Sequence, residues 1–414
     1  MKILWVKAGK LLPLDTGGKL RTYNILRHLA ATHELTYLSY YGGDHDPAFE
    51  KEIAQELPGA VTVHTGLRED TPWQRYMDYA KRLLWSAPYA VSKFTDPRVQ
   101  HLLSRWLPER RFEVAVCDFL SASLNFPRVL STPSVLFQHN VESILWQRKA
   151  QFEPNFVERT ISKFEYGKMS RYEPVQVRRF HHVIAVSEAD REGMSGMVDS
   201  SRISVVPTGV DLSKFRYDPG ARPAGPIVVF TGSMDWEPNI DGVEYFCKEI
   251  WPQVLARVPG ARFQIVGRNP HPRVQKLASA SVEVTGTVAS VVDYLRNAAV
   301  FVIPLRIGGG TRIKIYEGMA MGKATVSTTI GAEGLGVQHE RDILLADDAH
   351  HFAAAVVNLL TNEEMRQRYE AGAAATAQKY DWSVITREFV QVLERAIRAA
   401  SPAYEARTPA AARA

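Results

Sequence analysis

The chain of 414 residues contains few cysteines, and no sequence feature of a secreted or membrane-spanning protein is visible in it. Its two cysteines, Cys117 and Cys247, lie far apart and without metal-ligand spacing, so we predict a reducing compartment and no disulfide framework. No run of 18 or more apolar residues is present, which argues against a membrane span. The opening residues MKILWVKAGKLL are soon interrupted by Lys7 and Lys10, so we predict no signal peptide and a cytoplasmic protein.

Two common nucleotide-binding signatures are also missing. The G-x-G-x-x-G fingerprint of dinucleotide-binding folds does not follow the first predicted strand, so NAD is not predicted. The glycine-rich segment around residue 309 lacks the G-x-x-x-x-G-K-[ST] spacing of a Walker A loop. No recognised nucleic-acid-binding motif accompanies the net charge of +5, so nucleic acid is not an expected partner.

Composition and length indicate a soluble globular protein of two domains. Apolar residues make up 45% of the chain and charged residues 23%, and 414 residues exceed the usual size of one core. Short apolar runs of strand length alternate with helical periodicity in both halves, which predicts an α/β protein with two doubly wound parallel sheets. A segment rich in Gly, Pro and Asp, residues 207–226, predicts the boundary between the domains.

The most informative stretch reads IPLRIGGGTRIKIYEGMAMGKATVST and spans residues 303–328. Its glycines, Gly309 and Gly310 among them, allow a tight turn and a close approach to a ligand, and Thr311 is predicted to open a helix. The N–H groups at a helix N-terminus favour phosphate, and Arg312 and Lys314 add positive charge there. Glu317 follows Lys314 by three residues on nearly the same helix face, where its carboxylate could accept ribose hydroxyls. The pattern indicates a site for a nucleoside diphosphate; a plain strand–helix turn is the alternative.

The N-terminal half offers weaker candidates. Gly17 and Gly18 lie where the first strand meets its helix, as a ligand contact or as a plain turn. His139 follows a predicted strand, where polar side chains face the ligand crevice of such folds; a structural role is equally open. Glu142 is a second contact or an ordinary acid at a helix start. The D-x-D pattern of Asp44 and Asp46 is interpreted as surface loop rather than as a metal site.

Two segments are both basic and aromatic. Residues 73–111 hold eight Lys/Arg against three acids, and residues 146–182 hold eight against four. We expect solvated helical faces whose aromatic side chains turn to the core; the alternative is a surface for an anionic membrane or an acidic acceptor.

Several C-terminal segments resemble one enzyme family. VVPTGVDLSKF, FTGSMDW, RFQIVGRNP, VTGTV and the GGGTRIKIYEGMAMGKATVSTTIGAEGL segment are similar to the C-terminal half of GT4-type retaining glycosyltransferases of the exopolysaccharide and cell-envelope type. The resemblance implies a GT-B fold, in which two Rossmann-like domains face each other across a cleft. It implies an acceptor-side domain over residues 1–206, a nucleotide-sugar-binding domain over 207–380 and a returning helix over 381–399. The Ala/Pro/Arg-rich tail, 400–414, is expected to be disordered.

The resemblance also implies roles for individual residues. Glu317 matches the second glutamate of the family's E-x7-E signature, which binds ribose hydroxyls, whereas Gly309 stands where the first glutamate is expected. The usual Arg and Lys after the first strand of this domain are replaced by SMDWEPN, so Arg312 and Lys314 are expected to neutralise the diphosphate. His139 would lie beside the sugar. The remaining expected donor contacts are Gly17, Gly18, Gly232, Gly267, Arg268, Thr287, Val288, Gly309, Gly310 and Thr311.

The implied activity is metal-independent transfer of a sugar, with retention, from a nucleotide-diphosphate sugar to a saccharide or lipid-linked acceptor. A UDP- or GDP-sugar is the favoured donor, and no further cofactor is expected. A peripheral contact with the inner face of an anionic membrane is a further alternative. Two alternatives also remain: a nucleotide-sugar epimerase of GT-B fold, and a non-catalytic nucleotide-sugar binding protein.

Overall fold

The computed structural model describes residues 1–66, 72–109, 111–153, 155–307 and 312–406. The chain divides into two compact units. The N-terminal unit is Met1–Pro207 together with the chain from Ile385 onward, and the C-terminal unit is Thr208–Val384. Each unit contains one parallel sheet, and each has its own hydrophobic core.

The sheet of the N-terminal unit has the strand order β3-β2-β1-β4-β5-β6-β7 among the described residues, and all its pairings are parallel. Its central strands are buried on both faces, which explains their continuous runs of Val, Ile and Leu. The strand order reverses between β1 and β4, the position at which open α/β sheets bind ligands. The strands are β1 Lys2–Ala8, β2 Glu34–Tyr41, β3 Ala60–His64, β4 Val114–Asp118, β5 Ser134–Phe137, β6 His182–Ala185 and β7 Ile203–Val205.

Helices connect these strands, and polar side chains start several of them. Asp46 accepts a hydrogen bond from the backbone N–H of Phe49, which places the D-x-D segment at a helix cap. Ser187 caps α8 in the same way, as its spacing to Asp190 predicts. The helices are α1 Gly17–Ala30, α2 Pro47–Glu56, α3 Pro72–Arg82, α4 Tyr89–Ser92, α5 Pro97–Trp106, α6 Glu142–Phe152, α7 Phe156–Arg179 and α8 Glu188–Met194.

The C-terminal unit repeats this architecture with the strand order β10-β9-β8-β11-β12-β13 in its described part. The order reverses between β8 and β11, and all pairings are again parallel. Gly267 follows β9 where a Cβ atom would lie 1.6 Å from the carbonyl oxygen of Gly232, so only glycine fits between these strand ends. The strands are β8 Ile227–Thr231, β9 Arg262–Val266, β10 Val282–Gly286, β11 Val300–Ile303, β12 Ala324–Ser327 and β13 Leu344–Leu345.

The helical stretch after β8 contains a π-helical segment, Phe246–Ile250, between α9 and α10. Its buried residues join the core with Phe263 of β9, whose ring centroid is 4.4 Å from that of Phe246. The remaining helices are α9 Glu237–Tyr245, α10 Trp251–Arg257, α11 Pro272–Gln275, α12 Val291–Asn297, α13 Ile313–Ala320, α14 Ala349–Thr361, α15 Glu363–Ala377 and α16 Trp382–Ala406. None of the described helices is long and apolar enough to cross a membrane.

Helix α16 runs to Ala406, and the rest of the tail expected to be disordered, residues 407–414, lies outside the described part. One expectation about the basic segments is wrong in part. The aromatic side chains of the two basic segments do not all turn to the core. Trp85, Phe156 and Phe164 are 49%, 71% and 46% exposed.

Candidate functional site

In the C-terminal unit, Lys314 lies at the carboxyl end of β8. Its Nζ donates hydrogen bonds to the carbonyl oxygen of Thr231 at 2.8 Å and to Asn239 Oδ1 at 3.0 Å. The same Nζ lies 4.0 Å from the ring centroid of Phe230. Helix α13 thus directs its lysine to the point where the strand order of the sheet reverses.

The glycine after β8 is required by this arrangement. A Cβ atom on Gly232 would lie 2.7 Å from Asn239 Nδ2 and 3.0 Å from Lys314 Nζ. Asn239 is buried, and its Nδ2 donates to the carbonyl oxygen of Ser233 at 2.8 Å, which fixes the amide orientation that presents Oδ1 to the lysine. Gly232, Asn239 and Lys314 therefore form one packed unit.

Two further charged side chains belong to the same helix end. Arg312 precedes α13, is largely buried and lies with its Cζ 5.5 Å from the ring centroid of Trp236. Burial, helped by the charge of Arg312 and opposed by that of Glu317, lowers the pKa of Lys314 to about 7. Burial also raises the pKa of Glu317, against the opposing charges of Lys214 and Lys314. An additional anion would relieve the repulsion between the two cations of this helix end.

The other predicted donor contacts follow the ends of neighbouring strands. Arg268, after β9, donates from Nε to Ser233 Oγ at 3.0 Å. Thr287 and Val288 come directly after β10 at the same edge, two strands from β8 in the sheet order. Gly309, Gly310 and Thr311 lie outside the described residues. The structure thus brings Gly232, Gly267, Arg268 and Lys314 to one edge of the C-terminal sheet.

In the N-terminal unit, the carboxylate of Asp118 is the centre of a buried network. Its Oδ2 accepts hydrogen bonds from Trp5 Nε1 at 3.2 Å, Lys7 Nζ at 3.1 Å and Thr22 Oγ1 at 2.7 Å. Its Oδ1 lies 2.7 Å from His139 Nε2. Burial alone would raise the pKa of Asp118, but the charge of Lys7 is the main reason that it stays well below its usual value.

His139 is part of this network and is only 3% exposed. Its Nδ1 lies 2.9 Å from Arg21 Nη1, which can only donate, so Nδ1 accepts and Nε2–H donates to Asp118. Burial lowers the pKa of His139 to about 3, with Asp118 opposing and Arg21 adding to the shift. The imidazole is therefore neutral at physiological pH, and both of its nitrogens have protein partners.

The glycine pair at the start of α1 serves this network. A Cβ atom on Gly18 would lie 2.7 Å from Phe119 Cζ. The Phe119 ring stacks on His139 at a centroid distance of 3.6 Å, and Phe119 itself has a φ of 68°. Gly17 is the exposed first residue of α1, after the Thr16 cap. Gly18 thus allows the aromatic ring to hold His139 in place.

Sequence reasoning missed the partners that hold the candidate residues. Asn239 and Trp236 lie in the SMDWEPN segment, whose departure from the family pattern was the available signal. Lys7 and Arg21 carried no motif, and only the fold brings them to Asp118 and His139. Within the described residues, no group of three or more His, Cys, Asp or Glu side chains is placed to hold a metal ion.

Solved structures similar to this chain define its fold. The HepE protein of Anabaena, solved in complex with UDP and glucose, gives a TM-score of 0.64 at 14% identity, over 95% of this chain and 100% of HepE. Sucrose-phosphate synthase from Thermosynechococcus elongatus gives a TM-score of 0.67 at 15% identity, over 96% of this chain and 100% of the synthase. The fold is the two-domain α/β arrangement GT-B, as the resemblance predicted.

Sequence comparison gives the family. The model described as Glycosyltransferase Family 4 matches residues 16–214, and the model described as Glycosyl transferases group 1 matches residues 225–362. Together they cover most of the chain, which belongs to the GT4-type glycosyltransferases.

Individual relatives match over a shorter span. The phosphatidyl-myo-inositol mannosyltransferase of Mycolicibacterium smegmatis is 29% identical over 221 residues, 51% of this chain and 56% of that protein. The N,N'-diacetylbacillosaminyl-diphospho-undecaprenol alpha-1,3-N-acetylgalactosaminyltransferase of Campylobacter jejuni is 24% identical over 238 residues, 53% and 61% respectively. The matches thus span a little over half of these curated relatives.

Proposed function

We propose that this protein transfers a sugar, with retention and without a metal ion, from a nucleotide-diphosphate sugar to a cell-envelope or exopolysaccharide acceptor. The observation that carries the proposal is the position of Lys314 Nζ, held by Thr231 and Asn239 at the carboxyl end of β8. A lysine there, with Arg312 beside it, suits the diphosphate of the donor.

The chemistry follows from where charge develops. As the bond from the anomeric carbon to the diphosphate oxygen breaks, negative charge grows on the leaving phosphate. Cations fixed in advance stabilise that charge without reorganisation, and Lys314 and Arg312 are held by Asn239 and Trp236. Glu317, one turn further along α13, is the proposed acceptor for ribose hydroxyls, and Gly267, Arg268, Thr287 and Val288 are proposed to line the base site.

The donor and the acceptor are inferred from relatives. HepE is described in complexes with UDP and with UDP-glucose, which favours a UDP-sugar, with a GDP-sugar as the alternative. Two curated relatives are named for lipid-linked substrates, which favours an acceptor of that class. We assign acceptor recognition to the N-terminal unit, with His139 as the residue beside the transferred sugar.

A panel of nucleotide sugars tests the proposal. A true donor stabilises the folded protein by mass action, so one UDP- or GDP-sugar is expected to raise the midpoint of thermal unfolding more than the others. Lys314→Ala and Arg312→Ala should greatly reduce this shift and the release of nucleoside diphosphate, whereas Lys276→Ala, at an exposed lysine of the same unit, should change neither.

Two results would redirect the assignment. Conversion of the donor to a second nucleotide sugar without any acceptor would assign an epimerase. Stabilisation by a nucleotide sugar with no diphosphate release across an acceptor panel would assign a binding protein, the alternative raised by glycine in place of the first glutamate at Gly309.

A further inference from the structure

Helix α7 exposes an unusual set of side chains. Two of its three acids turn inward: Glu173 accepts hydrogen bonds from the first backbone N–H groups of α6, and Glu165 accepts one from the backbone N–H of Tyr89 at 2.7 Å. The third, Glu158, has a side chain that is 39% exposed, and it pairs with Lys149 at 3.9 Å. Along α7, every residue of which the structure describes, nine residues are exposed over their whole surface area, and none of the nine is acidic. We call these nine the α7 face: Phe156, Val157, Thr160, Lys163, Phe164, Ser170, Arg171, Val175 and Arg178.

The apolar members of the α7 face are unusually open to solvent. Phe156 is 71% exposed, Val157 and Val175 are each 57% exposed, and Phe164 is 46% exposed. The usual surface helix has its apolar side chains against the core and its charges outside. In α7 two glutamates are buried while four large apolar side chains face solvent, so the arrangement is not explained by folding of the unit alone.

A neighbouring segment extends the same surface. Leu84 and Trp85, after α3, are 95% and 49% exposed. Lys168 connects them to α7, because its Nζ donates to the carbonyl oxygen of Arg82 at 3.3 Å and lies 5.0 Å from the ring centroid of Phe164. The segment at Leu84 and the α7 face therefore lie on one side of the N-terminal unit.

The chemistry of this surface selects its partner. Apolar side chains alone would suit a dry protein interface, but here Lys163, Arg171 and Arg178 alternate with them along a helix about 36 Å long. The one partly exposed acid of α7, Glu158, is paired with Lys149. A helix that places aromatic side chains among basic ones in this way is complementary to acyl chains beneath a layer of anionic headgroups.

We propose that the α7 face, with Leu84 and Trp85, is a docking surface for an anionic lipid bilayer. The apolar side chains enter the boundary between headgroups and acyl chains, and the cations meet lipid phosphates. The inference deepens the proposed function by naming the surface that would bring the enzyme to a lipid-linked acceptor. Its test uses no sugar transfer, so the two proposals can fail separately.

The experiment measures co-sedimentation of the full chain with vesicles of phosphatidylcholine, with and without phosphatidylglycerol. Binding is expected only with the anionic lipid and should weaken as salt is added. Lys163→Gln with Arg171→Gln should lower the partition coefficient about 25-fold, at about fivefold for each basic residue near the surface. Phe156→Ser with Phe164→Ser should lower it at least roughly tenfold, through lost apolar burial.

A matched control removes two exposed cations from helices of the C-terminal unit. Lys248→Gln with Arg257→Gln changes the net charge by the same amount and should leave vesicle binding within twofold of the parent, while circular dichroism confirms that all variants fold. If this control lost as much vesicle binding, the effect would depend on net charge alone, and the proposal would be overturned. Absence of binding to anionic vesicles would also overturn it. A dimer that the Phe substitutions dissociate, without vesicle binding, would assign the face to a second copy of the chain.

Discussion

Nucleoside diphosphate binding should weaken as pH rises above 7, because Lys314 has to be protonated to bind the phosphate. Burial lowers the pKa of this lysine to about 7 in the ligand-free protein, and its ordinary value is 10.5. If only the charged form binds, the apparent Kd grows as one plus ten to the power of pH minus pKa. Between pH 7 and pH 9 the loss is then about 50-fold.

Isothermal titration calorimetry with UDP and with GDP across this pH range measures the effect. The terminal phosphate of the ligand loses its last proton near pH 6, so its own titration is nearly complete before the window begins. Heats in two buffers of different ionisation enthalpy should show proton uptake on binding at pH 8. Lys314→Arg, which stays charged, should flatten the pH dependence, and Lys314→Met should bind weakly at every pH.

The same lysine has the opposite effect on the stability of the ligand-free protein. Between pH 7 and 10.5 the unfolded chain holds a proton on Lys314 that the folded chain lacks, so stability rises with pH by up to about 1.4 kcal/mol per unit. Lys314→Met should remove this slope. The reasoning would be refuted if the UDP and GDP affinities of the parent protein did not change between pH 7 and 9. It would also be refuted if the stability of Lys314→Met rose with pH as steeply as that of the parent.

Three further substitutions test the packing and the site. Gly267→Ala places a Cβ atom 1.6 Å from the carbonyl oxygen of Gly232. It should lower the free energy of unfolding, measured in urea, by at least about 1–3 kcal/mol. An unchanged unfolding midpoint would contradict this strand-end geometry. Asp118→Asn leaves Lys7 buried without a counter-charge, so it should lower the free energy of unfolding by about 3–5 kcal/mol. A loss below about 1 kcal/mol would contradict the role of Asp118 in this network. Glu317→Gln should weaken UDP binding about 10- to 100-fold in calorimetry without changing thermal stability by much, since it removes charge-assisted hydrogen bonds to the ribose; equal affinity would remove Glu317 from the site.

The fold could be predicted from local patterns because its strands are buried on both faces. Glu34–Tyr41, Ser134–Phe137 and Ile227–Thr231 are rich in apolar and aromatic residues, as expected of buried parallel strands. Helix ends were less predictable. The segment beyond residue 400 has no apolar period, yet α16 runs to Ala406.

Charged residues of the candidate site could be predicted where they belong to a sequence motif. The neutral side chains that accept hydrogen bonds from them could not. Lys314 could be named because it follows a glycine-rich sequence segment, whereas its partner Asn239 is 75 residues away and carries no motif. His139 could be named from its place after a strand. Its burial among Asp118, Arg21 and Phe119 depends on contacts across the sheet that no local pattern encodes.

The expectation that the aromatic side chains of the basic segments turn to the core fails at Trp85, Phe156 and Phe164 for a related reason. Charge counts show that cations exceed acids, but they do not show which side chains face inward. In α7 it is Glu165 and Glu173 that are buried, because they accept backbone hydrogen bonds from neighbouring helices. Phe156 and Phe164 of the same helix are exposed instead.

The central claim is that Lys314 and Arg312 hold the diphosphate of a nucleotide-sugar donor. The most direct measurement is release of nucleoside diphosphate by the parent, Lys314→Ala, Arg312→Ala and the control Lys276→Ala, with the donor that gives the largest thermal shift. Loss of one charge-assisted contact that strengthens in the transition state lowers turnover about 100- to 1000-fold. We predict that loss in both site variants and normal turnover in the control; normal turnover in Lys314→Ala and Arg312→Ala would contradict the account.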